Sequence, residues 1–212
     1  MKKNPMNLDC PFCRAVSNLE RGLPSRLQDT PLWKSQNFVV LPSVGPLTLG
    51  HVLVVSREHC TSLSSMGFAA LREYDSLRKY VARMDGLYKG NLLQAEHGAA
   101  SDKRGGTCIV HAHVNWLPQS ARFSRIIEGV LPKIPGIRGV SSLTNVSGPY
   151  IMVRVDGSRP KVYDATNSPS QLVRRLICES SGRDDWDWAT SPNILLIQET
   201  VEHWMAKRTE PL

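Results

Sequence analysis

Apolar residues recur along this chain with two different spacings, and the two spacings predict different elements. In residues 67–87 they recur every three or four positions, which predicts an amphipathic helix with one side in the core. Residues 37–41 and 51–55 are short apolar runs joined by a loop with proline and glycine, which predicts the two strands of a hairpin. Two more strands are predicted at residues 91–96 and 108–117.

The pattern changes after residue 118. Residues 151–157 and 161–163 are apolar runs on either side of a turn and predict a second hairpin. Helices are predicted at about residues 169–180 and 192–206, and the second of these has a distinct apolar face. We expect this C-terminal part of the chain to pack on the part that precedes it.

Composition narrows the functions to consider. The 212 residues carry a net charge of +7, from 26 Lys and Arg against 19 Asp and Glu, and the basic residues are dispersed. Dispersed charge favours attraction for small polyphosphates over a nucleic-acid interface. No apolar run approaches the roughly 20 residues that cross a bilayer, so no membrane partner is expected. The start of the chain lacks the hydrophobic stretch of a secretory signal, and five cysteines with one close pair fit a reducing cytoplasm.

The most unusual polar positions lie on the strand predicted at residues 108–117. Because alternate side chains of a strand share a face, His111, His113 and Asn115 line up together, while the residues between them are apolar. The polar face of a half-buried strand normally faces water, and two imidazoles on such a face are unusual. A surface strand that happens to carry histidines is the alternative interpretation.

Two cysteines near the start of the chain have the spacing of half a tetrahedral metal site. Cys10 and Cys13 can both point at one zinc ion, or they can form a redox pair. Metal is favoured, because no strand precedes the pair as it does in thioredoxin-like motifs. His59 and His111 would complete a closed structural site, which would also fix the direction of His113.

Several motifs together resemble the histidine-triad superfamily across about residues 8–120. They are Gly50-His51-Val-Leu-Val-Val followed by His59, then Glu96-His97-Gly98, then His111-Ala-His113 with a hydrophobic run ending in Pro118. The superfamily pattern is His-x-His-x-His followed by apolar residues. This chain departs from that pattern at the third position, which is Asn115.

The resemblance extends to two branches of the superfamily. The galactose-1-phosphate uridylyltransferase branch also carries an amide at the third triad position. It binds structural zinc through a Cys-x-x-Cys pair, a downstream histidine and the first triad histidine, which implies zinc at Cys10, Cys13, His59 and His111. The tail resembles bacterial proteins of the diadenosine-tetraphosphate hydrolase type through Ser168-Pro-Ser-Gln-Leu-Val-Arg-Arg175 and Trp186-Asp-Trp188.

For the fold, the resemblance implies an α+β class, with an antiparallel sheet of about five strands and helices packed on it. We assign residues 1–120 to this nucleotide-binding core and residues 121–212 to a C-terminal extension that packs on the core. Members of the superfamily are often dimers, so a homodimer is a further expectation.

For the chemistry, the resemblance implies covalent catalysis by His113. Its imidazole would attack the α-phosphorus of a nucleotide ester or anhydride, and water or a second substrate would then resolve the nucleotidyl-histidine. Gly106, Thr107 and Cys108 would supply phosphate donors from a glycine-rich run, for which a simple tight turn is the alternative. Asn115 cannot donate a proton, which favours phosphate or pyrophosphate leaving groups and therefore transfer or phosphorolysis.

Four further residues are assigned to nucleotide binding. In the superfamily the position of Glu96 faces the phosphate pocket, although a charged strand end is the alternative. Ser43 lies near the position that contacts the ribose. Gln171 and Arg174 are expected to come over the pocket from the C-terminal part of the chain.

The C-terminal assignments also have competing interpretations. Arg175 is an equal candidate to Arg174, and both arginines could simply coat an exposed helix. Trp186 and Trp188 are expected to anchor the last segment against the core instead of stacking on a base.

These observations predict a nucleotidyl hydrolase or transferase that acts on a nucleoside polyphosphate or nucleotide ester through His113. A nucleotide-binding regulatory protein without turnover is the first alternative. A nucleic-acid repair or decapping enzyme of the same superfamily is the second, and the lack of a basic run or an added zinc finger counts against it.

Overall fold

The fold is built on one antiparallel sheet. The computed structural model describes residues 9–22, 26–84, 86–99, 109–118 and 122–207. Within these ranges the strands are β1 (Trp33–Lys34), β2 (Phe38–Pro42), β3 (Val52–Ser56), β4 (Leu92–Gly98), β5 (His113–Pro118), β6 (Lys133–Ile134), β7 (Tyr150–Val155) and β8 (Lys161–Asp164). They form a single sheet in the order β1-β2-β3-β5-β4-β7-β8-β6, and all neighbouring strands are antiparallel.

Helices cover both faces of this sheet. The α-helices in the described ranges are α1 (Pro11–Glu20), α2 (Phe68–Met84), α3 (Arg122–Val130), α4 (Leu172–Ser180) and α5 (Ile194–Lys207). Short 3₁₀ helices lie at Leu27–Asp29, Leu63–Ser65 and Val140–Asn145. None of the helices in this part of the chain combines the length and apolar composition that crossing a bilayer requires.

The predicted α+β class and both predicted hairpins are confirmed. β2 pairs with β3, and β7 pairs with β8, in the antiparallel registers expected of hairpins. The helices predicted from periodicity correspond to α2, α4 and α5. The sequence did not predict α1 or α3.

The expected number of about five strands is wrong, because the C-terminal strands continue the same sheet. β7 pairs with β4 from Leu93 to Gly98, and β8 and β6 then extend the sheet from β7. Pairing with β7 satisfies backbone groups of β4 that would otherwise form an open edge. The division into residues 1–120 and 121–212 stays a prediction about which parts fold as units.

One face of the sheet packs on α2 and α5. Side chains from alternate strand positions enter this core, among them Val54 of β3 and Trp116 of β5. The Trp116 indole N–H donates to the Tyr74 hydroxyl at 2.9 Å, which satisfies the one polar atom of a fully buried ring. From α5, Trp204 donates to the hydroxyl of Tyr88 at 2.7 Å.

The opposite face is covered at two separate places. At one side, α1 packs on β2 and β3 through an apolar cluster that includes Val39 and Val55. At the other side, residues of α3 and α4 pack on β4 and β7 through a second cluster that includes Ala95 and Ile151. β5 lies between β3 and β4, so its second face is turned toward the space between these clusters.

A charge network on the first face predicts a pH-dependent contribution to stability. Asp75 of α2 accepts hydrogen bonds from Arg78 and from Arg154 of β7. Burial alone raises the pKa of Asp75, but the hydrogen bonds from Arg154, Lys79 and Arg78 outweigh it and lower the pKa to about 2. Because the unfolded value is near 3.9, the contribution is complete above about pH 5 and is lost as the pH falls toward 2.

We therefore expect Asp75→Asn to lower the free energy of unfolding by up to about 2 kcal/mol at pH 7, with the deficit shrinking below pH 4. Urea denaturation between pH 7 and pH 3 measures this difference. The matched control is Asp184→Asn at an exposed position, which should change stability by less than about 0.5 kcal/mol. A deficit that does not change with pH would contradict the interpretation.

Candidate functional site

A cleft over β5 brings together five of the residues predicted from the sequence. It has a volume of about 310 Å³, and His113, Asn115, Ser43, Gln171 and Arg174 line it. Much of the remaining wall is apolar and includes Phe12, Leu41, Leu53 and Ile109. An apolar wall with a few convergent polar groups is typical of a small-molecule binding site.

His113 is held in one orientation and one tautomer. Its Nδ1–H donates to the carbonyl oxygen of His111 at 2.6 Å, so the lone pair of the neutral ring lies on Nε2. The Phe12 ring packs beside it, with 5.1 Å between the ring centroids. Burial lowers the pKa of His113, so the ring is neutral and its Nε2 has the character of a nucleophile.

Asn115 is fixed by hydrogen bonds to the protein itself. Its Oδ1 accepts from the Nε2–H of His51 at 3.1 Å, and its Nδ2 donates to the carbonyl of Ala95 at 3.3 Å. The Nδ1 of His51 accepts from the backbone N–H of Leu47, which sets its tautomer. Burial, followed by the charge of Arg174, lowers the pKa of His51 to about 3. The imidazole that Asn115 contacts is therefore neutral and does not act as a proton source.

Glu96 does not face the cleft, so this expectation is wrong. Strand alternation places it on the opposite face of β4, where it accepts from the N–H of Leu63 at 2.7 Å and from the Tyr150 hydroxyl at 2.5 Å. Burial raises the pKa of Glu96 to about 7, although these two hydrogen bonds oppose the shift. The next residue, His97, lines the cleft instead.

Ser43 and Gln171 approach the cleft from opposite parts of the chain. Ser43 is fully buried, and its hydroxyl donates to the carbonyl of Val44 at 3.3 Å. Gln171 precedes α4 in a left-handed conformation, with φ of 59°, and its Nε2 donates to Asp187 at 3.0 Å. That bond fixes the amide, and its buried Oε1 has no hydrogen-bond partner in the described part of the chain. A buried acceptor without a partner is suited to accept a hydrogen bond from a donor group on a ligand.

Arg174 lines the cleft but uses its guanidinium to join two loops. It donates to the carbonyl of Trp186 at 2.8 Å, to the carbonyl of Gly45 and to the hydroxyl of Ser43. Arg175 points outward and pairs with Glu179 at 2.7 Å. Of the two candidate arginines, only Arg174 is therefore near the cleft, and its hydrogen bonds already lie within the protein.

The two tryptophans of the C-terminal part have different positions. Trp186 packs partly buried against the cluster around α3 and α4, as expected of an anchor. Trp188 is 38% exposed and lines the cleft, so its position differs from that of Trp186, and its anchoring role stays a prediction. The backbone passes close to Gly45 at this point: a Cβ on Gly45 would lie 2.8 Å from the Cα of Trp188.

The four predicted metal ligands form one cluster, and their donor atoms all lie within 4.8 Å of one another. The Sγ of Cys10 is 3.3 Å from the Nδ1 of His111, and the Sγ of Cys13 is 3.2 Å from the Nδ1 of His59. A tetrahedral zinc site with bonds near 2.0–2.3 Å has ligand atoms roughly 3.3–3.8 Å apart. The cluster is therefore compatible with zinc.

The hydrogen bonding of His111 is compatible with a role as a metal ligand. Its Nε2–H donates to the carbonyl of Ser56 at 2.8 Å, which leaves the Nδ1 lone pair directed at the cysteines. Burial lowers the pKa of His111 to about 4, so the imidazole is neutral as a ligand must be. Gly106, Thr107 and Cys108, the predicted phosphate donors, lie outside the described residues.

Solved structures similar to this chain include several histidine-triad proteins, although no family model and no curated protein matches it. A hypothetical histidine triad nucleotide-binding protein of Sulfolobus tokodaii is 22% identical, over 51% of this chain and 70% of that chain, with a TM-score of 0.39. A zinc-bound histidine triad family protein of Mycobacterium smegmatis is 22% identical, over 54% and 77%, with a TM-score of 0.40. A histidine triad protein of Clostridium difficile is 19% identical, over 54% and 93%, with a TM-score of 0.42.

The contrast between the two neighbouring arginines gives a direct test of how the cleft wall is held. We expect Arg174→Met to lower the free energy of unfolding by about 2–4 kcal/mol, because it leaves buried carbonyl groups without donors. Arg175→Met, at the adjacent exposed position, should change stability by less than about 0.5 kcal/mol. Urea denaturation of both variants measures the difference, and equal losses would contradict a special role for Arg174.

Proposed function

We propose that this chain is a nucleotidyl hydrolase or nucleotidyltransferase that forms a covalent nucleotidyl intermediate on His113. The observation that carries the proposal is the hydrogen bond from His113 Nδ1 to the carbonyl of His111 inside a cleft. A fixed, neutral imidazole at the wall of such a cleft is the arrangement that nucleophilic attack on a phosphate ester requires.

In the first step, Nε2 of His113 bonds to the α-phosphorus while the bond from that phosphorus to the leaving oxygen breaks. The electron pair of the broken bond departs with the leaving group. The imidazole then carries a positive charge, which the carbonyl of His111 stabilises through the proton on Nδ1. The apolar wall of the cleft is suited to the nucleoside. The Oε1 of Gln171, which has no hydrogen-bond partner among the described residues, is suited to one of its donor groups.

Asn115 bears on the choice of leaving group. Its amide has no proton to transfer, and both of its ends are engaged with His51 and the carbonyl of Ala95. A phosphate or pyrophosphate leaves without protonation more readily than an alkoxide or an amine does. The substrate we propose is therefore a nucleoside polyphosphate or a similar anhydride.

We further propose that Cys10, Cys13, His59 and His111 hold a structural zinc ion. All four positions are protein ligands, which is the composition of a closed site and not of a catalytic one. The ion would tie the start of α1 to the segment before β5 and so hold the peptide that orients His113. A cytoplasmic location and a homodimer stay predictions.

A second candidate function is nucleotide binding without turnover. The hydrogen bonds of Asn115 to His51 and to the Ala95 carbonyl favour this second function. An inactive binding protein would also contain a triad without a proton donor. The two candidates differ in whether a covalent adduct forms on His113.

Labelling of the nucleophile separates these functions. Incubation with a panel of α-³²P nucleotides should give an acid-labile, base-stable adduct, and His113→Ala should abolish it and reduce turnover by roughly 10³-fold or more. His203→Ala, which changes a histidine on α5 at the other face of the sheet, is the matched control and should keep the adduct. Turnover that survives in His113→Ala would remove the enzyme proposal.

Metal analysis tests the zinc proposal. The purified protein should contain about one zinc per chain, and Cys13→Ser should lose it and unfold at a lower temperature, because the ion stabilises the folded state. Cys60→Ser is the matched control, since Cys60 adjoins His59 but its thiol donates to Ser56 Oγ. Zinc that stays bound after Cys10→Ser and Cys13→Ser are combined would overturn the site.

A further inference from the structure

A second histidine in the cleft has no part in the chemistry described above. The pairing of β4 with β5 ends where Ala95 lies opposite Asn115, and His97 follows two residues later on the same face of β4 as Ala95. His97 lines the cleft together with His113. The two imidazoles therefore share one cleft, and they are close enough for the charge of His113 to affect the pKa of His97.

The Nε2 atom of His97 is buried and has no hydrogen-bond partner in the part of the chain that the structure describes. Buried polar atoms are rarely left in this state in a folded protein unless a ligand or a solvent molecule meets them. Because His97 lines the cleft, a group bound in the cleft is the partner that we assign to this atom.

The second half of the proposed reaction needs a group that accepts a proton. When water or a hydroxyl attacks the phosphorus, its proton must leave the attacking oxygen, and Nε2 of His113 is then bonded to that phosphorus. Asn115 is engaged at both ends, and Glu96 points to the other face of β4. Asp29, a carboxylate of the cleft wall, is paired with Arg26 at 2.9 Å.

We propose that His97 is the general base that activates the attacking water or hydroxyl group in the second half of the reaction. As the oxygen bonds to phosphorus, its proton passes to Nε2 of His97. The bond from phosphorus to His113 breaks, and its electron pair returns to Nε2 of His113. His97 then releases the proton to solvent. This inference rests on the proposed function and adds the class of acceptor, namely one that carries a proton on the attacking oxygen.

The protonation state of His97 agrees with this role. Burial, followed by the charge of His113, lowers the pKa of His97 to about 4, so the ring is neutral near pH 7 and has a lone pair to offer. An acceptor whose attacking oxygen is already ionised, such as pyrophosphate, brings its own lone pair and needs no base. The two kinds of acceptor should therefore depend on His97 to different extents.

The test is a single-turnover experiment with α-³²P-labelled ATP on the wild type and on His97→Gln. The variant should form the adduct on His113 within about threefold of the wild-type rate, because attack by His113 does not use His97. Its adduct should decay in water roughly 10²-fold more slowly and so accumulate. Decay on addition of pyrophosphate should stay close to the wild-type rate.

Three results would overturn the inference in distinguishable ways. An adduct that decays in water at the wild-type rate in His97→Gln removes the general base alone and leaves the proposed function standing. Equal slowing with water and with pyrophosphate shows that His97 only shapes the cleft. Absence of any adduct in the wild type with the whole nucleotide panel removes the proposed function and this inference with it. His97→Asn provides a second variant, and zinc content and thermal melting verify that both variants are folded.

Discussion

The site depends on one peptide group, that of His111. Its side chain contacts the cysteine cluster through Nδ1 and the carbonyl of Ser56 through Nε2, while its own carbonyl oxygen accepts from His113. A residue held at both ring nitrogens leaves its backbone little freedom to rotate. The cluster therefore determines the orientation of His113, although none of the four cluster residues lines the cleft. The metal binding and the covalent chemistry that we propose would therefore both depend on this one residue.

The shape of the sheet explains why the cleft lies where it does. On the second face, α1 covers the side of β2 and β3, and α3 and α4 cover the side of β4 and β7. The strand between them carries the polar residues His113 and Asn115, which could not be buried under an apolar helix without partners. Arg174 then joins the wall formed by the C-terminal part to the loop after β2. The C-terminal residues thus complete the cleft as well as the sheet.

The local alternation of polar and apolar residues predicted much of this site. The remaining positions depend on how distant strands pair. The period of two correctly placed His113 and Asn115 on one face, because alternation within a strand is a local property. It was wrong for His111, since β5 begins only at His113 and the His111 ring contacts the cysteines instead of lining the cleft. Glu96 was misplaced because a shift of one residue transfers a strand side chain to the other face, and the register of β4 against β5 is not visible in either strand alone. The same missing register is the reason that His97, the next residue, was not predicted at the cleft. The helix α1 had a local signal in Pro11 at its start, and it was overlooked beside the cysteine pair. The hydrogen bond from Arg174 to Ser43 joins residues 131 positions apart and is not visible in the local pattern.

The two ends of the sheet have a consequence for how copies of this protein can associate. The outermost strands, β1 and β6, are each two residues long, and each contains a lysine, Lys34 or Lys133. So short a stretch of free backbone, flanked by a positive charge, is a poor template for strand addition from another molecule. Among the residues that the structure describes, self-association by lengthening the sheet, including the cross-β stacking that leads to fibrils, is therefore discouraged at both borders.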